Sequence, residues 1–278
     1  RPIQMVTHFV DVQLWDYEAW GHHLSSILLH AVTAVVMWRV LARLYPVGAA
    51  FLAAAWFSLH PLQSYAVAYL SGRGDTLALL FLGLGLLAFP QRRGLSLSCA
   101  ALAMLSKEHL VLFPLLLLLY DRAGGHPAPL NAHLPFWILI AVYGLARLTV
   151  LTFHAPGDVV GFSDLMNDTW RIRLLTYLTT IPHGLRLWLW PSDLHHERSW
   201  PLATTFNTPT VWLAGVVLVL LGGLAIRLRA KRPQVAMGIV WFLVSTIPTS
   251  NLFVLLNAAC YDHWFLLPGF GLALLIGR

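Results

Sequence analysis

Four short clusters of ionisable residues interrupt a chain that is otherwise strongly apolar. The first runs from His60-Pro61-Leu62-Gln63-Ser64-Tyr65 to Gly72-Arg73-Gly74-Asp75. Arg73 has the planar fork that suits a phosphate group. Asp75 is either a base or a cap for the helix that follows it. The second cluster is Ser106-Lys107-Glu108-His109. Lys107 and Glu108 read equally as a self-neutralising pair and as a phosphate ligand with the carboxylate that positions it. The third is Tyr261-Asp262-His263-Trp264, where Asp262 orients His263 or meets a base from another loop. The fourth gathers Asp193, His195, His196 and Glu197, and its spacing fits no strong metal pattern, so no metal ligand set is assigned. His30 stands alone inside an apolar run. It fits a hydrogen bond to a neighbouring helix, and also the ligation of a haem- or chlorin-type metal.

The elements that carry these clusters follow from composition. The 278 residues are 58% hydrophobic and 11% charged, with mean hydropathy +0.69, whereas a soluble domain carries about 25% charged residues. Apolar runs that approach the ~20 residues needed to cross a bilayer fall at about 24–43, 47–60, 75–90, 94–106, 109–120, 133–153, 173–190, 210–227, 235–250 and 263–277. The expected fold is therefore all-α, a polytopic transmembrane helix bundle of about nine or ten membrane segments, some short or re-entrant. Residues 1–278 read as a single transmembrane domain with no soluble domain. Within it, 1–23 is the remnant of an outer loop, and 154–209 is an outer-side region holding a re-entrant or surface-lying segment around Pro182. The net charge of +6 does not indicate nucleic acid, because Lys and Arg sit at the ends of apolar runs as flanking charges of spans do. Two cysteines exclude a disulfide framework. The chain starts Arg1-Pro2 without Met and stops after an apolar stretch, so it reads as a piece of a longer protein.

Arg39 with Arg43, Arg92 with Arg93, and Arg227, Arg229, Lys231 and Arg232 mark the cytoplasmic side. Counting spans then places residues 1–22, 60–75, 107–108, 154–172, 191–209 and 251–262 on the other side. All four clusters thus face one compartment. Ionisable groups at membrane depth are costly and are functional candidates by default. A one-sided set of them is what an enzyme acting on a lipid-linked substrate at the outer leaflet needs.

The order of motifs resembles the polytopic glycosyltransferases of the transmembrane and tetratricopeptide-repeat mannosyltransferase type and their bacterial relatives, which share the GT-C fold. Arg1-Pro2-Ile3 is similar to the family's Tyr-Arg-Pro-Leu, and Gly21-His22-His23-Leu24 through His30-Ala31 to the start of its next span. His60-Pro61 through Gly72-Arg73-Gly74-Asp75 resembles its His-Pro…Gly-Arg-Ala-Asp loop, and Ser106-Lys107-Glu108 its Lys-Glu element. Leu187 through Leu194 resembles Leu-Leu-Trp-Pro-x-x-Leu, and Asp262-His263 through Leu267-Pro268 resembles Glu/Asp-Arg…Tyr-Leu-Pro. The resemblance implies transfer of a sugar from a polyprenyl-phosphate donor to a protein or glycan hydroxyl on the non-cytoplasmic face, in a bacterial inner membrane. It implies catalytic roles for Asp75, Glu108 and Asp262, and lipid-phosphate contacts by Arg73, Lys107, His60, His263 and Arg1. The family's main base falls in a loop before Arg1. Its His-Thr-Glu reads Gln63-Ser64-Tyr65 here and its late Arg is His263. The alternative is a catalytically inactive GT-C-like subunit of a larger membrane complex, near pigments or other cofactors.

Overall fold

The computed structural model describes residues 1–125, 127–149, 166, 170–196 and 198–277. The end of the expected span 133–153, most of the stretch 154–172, and Glu197 lie outside the described residues. Among the described residues there are twelve α-helices and no strand. They are α1 (Pro2–Trp15), α2 (Ala19–Leu41), α3 (Val47–Leu59), α4 (Ser64–Ala68), α5 (Arg73–Ala88) and α6 (Arg93–Ser106). There follow α7 (Phe113–Ala123), α8 (Leu134–Thr149), α9 (Trp170–Leu189), α10 (Pro209–Leu228), α11 (Pro233–Ser245) and α12 (Leu266–Ile276).

The bundle has the burial pattern of a protein whose solvent is lipid. On α2 the buried side holds Gly21, His22, Ser26 and Thr33, while Ile27, Leu28, Val32 and Val35 point outward. On α10 the buried residues include Ala214 and Ala225, while Trp212, Val216, Val219 and Leu220 are exposed. Small and polar residues inside with large apolar residues outside is how membrane helices pack. Among the described residues, four helical segments are long and apolar enough to cross a membrane: Ala19–Leu41, Leu70–Ala88, Leu130–Thr149 and Pro209–Leu228. Val47–Leu59, Arg93–Ser106, Pro233–Thr249 and Asp262–Ile276 are shorter apolar helices. The chain is a helical membrane bundle. Helices α11 and α12 pack closely: a Cβ on Gly238 would lie 2.5 Å from Gly271 O and a Cβ on Gly271 would lie 2.5 Å from Gly238 O. Only glycine lets these backbones approach so closely.

Two ends of the bundle differ in chemistry. At one end the α2 terminus, the α5–α6 turn and the α10–α11 turn carry Arg39, Arg43, Arg92, Arg93, Arg227, Arg229, Lys231 and Arg232. The other end collects the C-terminus of α3, the start of α5, the α6–α7 junction and the start of α12. Helix α9 lies across this second end. Its Tyr177, His183 and Trp188 reach Thr246, Asp262 and Phe265 respectively, all near that end. Pro182 sits inside α9. The N-terminal stretch is helical rather than looped. Pro2 starts α1 with a fixed φ suited to a first turn, and Asp16 ends it at a positive φ of 52, which is uncommon outside glycine.

Candidate functional site

The polar end is built where helices stop. Arg73 opens α5 and its guanidinium is 2% exposed. Nη1 lies 2.5 Å from Asp11 Oδ2 on α1. Nε and Nη2 donate to Ser26 Oγ at 3.2 and 3.0 Å, and Nη2 also donates to His22 O at 2.9 Å. A cation at a helix N-terminus is disfavoured by the helix dipole, so Asp11 is the charge that permits Arg73 there. Gln4 Nε2 donates to Ser71 O at 2.9 Å and ties α1 to the turn before α5.

Two residues beyond Arg73, the carboxylate of Asp75 points into the bundle. It receives Lys107 Nζ at 2.7 Å, with side-chain exposures of 3% and 5%. His109 Nε2 is 3.8 Å from its other oxygen. Lys107 is available because α6 ends at Ser106 and the chain turns extended at Lys107, φ −151 and ψ 130, before a tight turn over Glu108–Leu112. Lys107 therefore pairs across helices with Asp75, and Glu108 pairs with Arg1 at 3.3 Å. Burial works against the Glu108 charge, but Arg1 and the other neighbouring cations prevail and hold its carboxyl below the usual range. Asp75 stands in the first turn of α5, and its carboxylate goes to Lys107.

The third group centres on Asp262, which opens the turn leading into α12. Oδ1 accepts from His183 Nε2 at 3.1 Å and Arg198 Nε at 3.0 Å. Oδ2 accepts from the His195 backbone N–H at 2.8 Å and Arg198 Nη2 at 3.2 Å. Asp262 thus meets a base from another loop, one of the two arrangements expected of it. Arg198 also contacts Asp193, through Oδ2 at 3.3 Å and the backbone carbonyl, and His195 Nε2 is 2.7 Å from Asp193 Oδ1. These bonds lower the Asp193 carboxyl below its ordinary value, His195 first and Arg198 second. The loop after α9 is clasped to α12 in this way.

A cavity of about 320 Å³ opens beside the clasp. Its walls include Tyr65, Tyr69, His196, His263 and Asp262. His263 stacks on Tyr65 with centroids 4.0 Å apart and planes 8° apart. Tyr65 joins the groups. Burial and the nearby Asp75 charge push its phenol up, so it stays protonated.

His60 takes a different place. Its Nδ1 accepts from Leu62 N at 3.2 Å and its Nε2 lies 3.2 Å from Trp188 O. Both ring nitrogens are used in holding the end of α3 to α9. His30 Nε2 lies 2.9 Å from Ser58 O, a hydrogen bond between α2 and α3. The structure thus brings Arg73, Asp75, Lys107, Glu108, Arg1, Asp262 and His263 to one end. It adds Asp11, His183 and Arg198, which the motifs did not single out, and gives partners to His22 and His109 of the quoted motifs. Asp11 had a readable signal, because Gln4, Thr7, His8 and Asp11 recur at helical spacing against Met5, Val6, Phe9, Val10 and Leu14.

A helical membrane bundle with buried ion pairs and an aromatic-lined cavity at one end is the class of protein these features define. By sequence the chain is similar to proteins named as protein O-mannosyl-transferases. It is 22% identical over 292 residues to protein O-mannosyl-transferase F38B6.6 of Caenorhabditis elegans, covering 99% of this chain and 41% of that protein. It is 28% identical over 221 residues to Tmtc2 of Drosophila melanogaster, covering 70% and 23%. It is 25% identical over 338 aligned positions to human TMTC1, covering 99% and 38%. The chain spans less than half the length of each of these relatives. No family model matches it, and no solved structure matches it.

Proposed function

We propose that this chain is the membrane portion of a glycosyltransferase that moves a sugar from a polyprenyl-phosphate donor to a hydroxyl acceptor, on the non-cytoplasmic side of the membrane. The observation that carries the reading is the gathering of Asp75–Lys107, Arg1–Glu108 and Asp262–Arg198 at one end of the bundle, opposite the arginine-rich end. Similarity to protein O-mannosyl-transferases over nearly the whole chain supports it. In such a transfer the acceptor oxygen forms a bond to the sugar's anomeric carbon. The bond from that carbon to the phosphate oxygen breaks, and the lipid phosphate leaves with the electron pair. A carboxylate takes the acceptor's proton, and cations steady the charge that grows on the leaving phosphate.

The chain's own residues divide unequally between those roles. Asp75 and Asp262 are buried and each holds a cation. The Glu108 side chain is 41% exposed and its partner Arg1 is 36% exposed, so this pair can meet a headgroup from the bilayer edge. Glu108 is the acceptor-side carboxylate and Arg1 the phosphate-side cation in this reading. Lys107 and Arg73 fix the helix ends around them. The test is transfer of radiolabelled mannose from a polyprenyl-phosphate donor by the full-length protein in membranes. Glu108→Gln is expected to lower the rate at least 10-fold, against no change for Arg92→Ala at the opposite end. Equal rates in wild type and Glu108→Gln would remove Glu108 from the reaction.

One observation favours a second reading. Both buried cations, Arg73 and Lys107, are already neutralised by Asp11 and Asp75, as in a silent bundle that serves as a subunit of a larger complex. Stoichiometric co-purification with other membrane subunits, together with no transfer, would support it.

A further inference from the structure

We propose that His8, Asp11 and His22, at the α1–α2 junction, form a binding site for one divalent first-row transition metal of the zinc class. One ligand atom from each residue lies within 4.8 Å of the others. Asp11 and His22 are buried and His8 is partly so. His8 and Asp11 stand three apart on α1, hence on one face, and His22 comes from the first turn of α2.

The hydrogen bonds leave the ligand atoms with lone pairs turned inward. His22 Nε2 is 2.9 Å from the backbone carbonyl of Asp16. A carbonyl only accepts, so Nε2 carries the proton and Nδ1 carries a lone pair. That Nδ1 lies 3.5 Å from Asp11 Oδ2, an atom that is itself an acceptor. Two lone pairs facing each other in a buried place need a cation or a proton between them. The separation is close to the ~3.3 Å between adjacent ligands of a tetrahedral zinc ion with bonds of about 2.0–2.1 Å. An imidazole whose other nitrogen donates to a backbone carbonyl is the usual outer-shell arrangement of a metal-bound histidine. His8 is the third ligand. Gln4 Nε2 sits 3.5 Å from His8 Nε2, at the outer limit of a hydrogen bond, so that contact is given up at little cost.

Arg73 bears on the same carboxylate oxygen. A carboxylate oxygen has two lone-pair sites, one for the guanidinium and one for the metal. The guanidinium also means that the ion's remaining position is best filled by hydroxide or another anion, entering beside the half-exposed His8. Two imidazoles and one carboxylate select zinc, cobalt or nickel over magnesium or calcium, which take oxygen ligands.

The experiment uses the full chain in detergent, freed of metal by chelation, and does not depend on transferase activity. Zinc is titrated in by calorimetry, and cobalt is added as a spectroscopic probe. About one equivalent of zinc is expected, with cobalt giving the visible bands of a nitrogen- and oxygen-ligated site. His8→Ala is expected to weaken zinc at least 10-fold while the chelated protein melts as wild type does, because His8 lies near the surface. His195→Ala, at the exposed clasp, is expected to change nothing. No zinc bound at one equivalent would overturn the site and leave a proton shared between His22 and Asp11 as the occupant. Binding that survives His8→Ala, or that is lost with His195→Ala, would overturn it as well.

Discussion

Lys107 and Asp75 offer the sharpest energetic test of how the polar end is held. Their charges are 2.7 Å apart with side-chain exposures of 5% and 3%. At an effective dielectric of about 20 their attraction is roughly 6 kcal/mol. Removing both ions from water costs several kcal/mol each, so the pair as a whole contributes little. Breaking it is another matter. Lys107→Met leaves a buried carboxylate whose nearest remaining cation candidate is His109 at 3.8 Å. The expected loss is about 3–5 kcal/mol. For a chain of this size that lowers the melting temperature by roughly 6–20 °C. The double variant Lys107→Met with Asp75→Asn removes both charges, and is expected to recover at least half of that loss. The assay is thermal unfolding of wild type, both single variants and the double variant in one detergent, read as a double-mutant cycle. Additive single losses, with no recovery in the double variant, would refute the claim that these residues act as one buried pair.

Other expectations follow from the packing and the clasp. A Cβ on Gly269 would fall 1.9 Å from Trp188 Cζ2. The indole cannot retreat, since its Nε1 donates to Phe265 O at 2.8 Å and its ring stacks on Phe57. Gly269→Ala should therefore cost about 1–3 kcal/mol, visible as a lower melting temperature, and wild-type melting would contradict the packing described. A nitroxide on Ser199→Cys reports on the clasp, because Cys99 and Cys260 are buried. Asp262→Asn should raise the label's mobility at neutral pH, and unchanged mobility would show that the loop is held by something else. In the wild type, Asp193 is held below its ordinary value of 3.8. Its contacts are thus fully present above that pH and are lost as pH falls through the lowered value. Mobility should stay flat from neutral pH down to about pH 5, and an onset at about pH 6 would assign the hold to histidine instead.

The spans were legible because lipid-facing helices must be apolar for most of their length. Within the described residues, every apolar run read from the sequence coincides with a helix, with edges moved by a few residues. Helix α1 was not legible in that way. It is amphipathic, with Met5 and Phe9 outside and Gln4 and Asp11 inside, and an average over such a stretch looks like a loop. The ionisable residues were legible as exceptions to an apolar background, but their partners were not. Nothing local in Gly72-Arg73-Gly74-Asp75 tells that Arg73 meets Asp11 and that Asp75 meets Lys107, because both pairings are made by helix packing. Arg198 was hidden likewise, among the histidines of its loop, until α12 brought Asp262 to it.

Transfer itself is the most direct test of the central proposal. The full-length protein is purified and given an acceptor polypeptide with either a polyprenyl-phosphate-linked sugar or the corresponding nucleotide sugar, both radiolabelled. The account predicts label on the acceptor from the lipid-linked donor, none from the nucleotide sugar, and a large loss on Glu108→Gln. Label from the nucleotide sugar alone, or none from either donor with a folded protein, would contradict it.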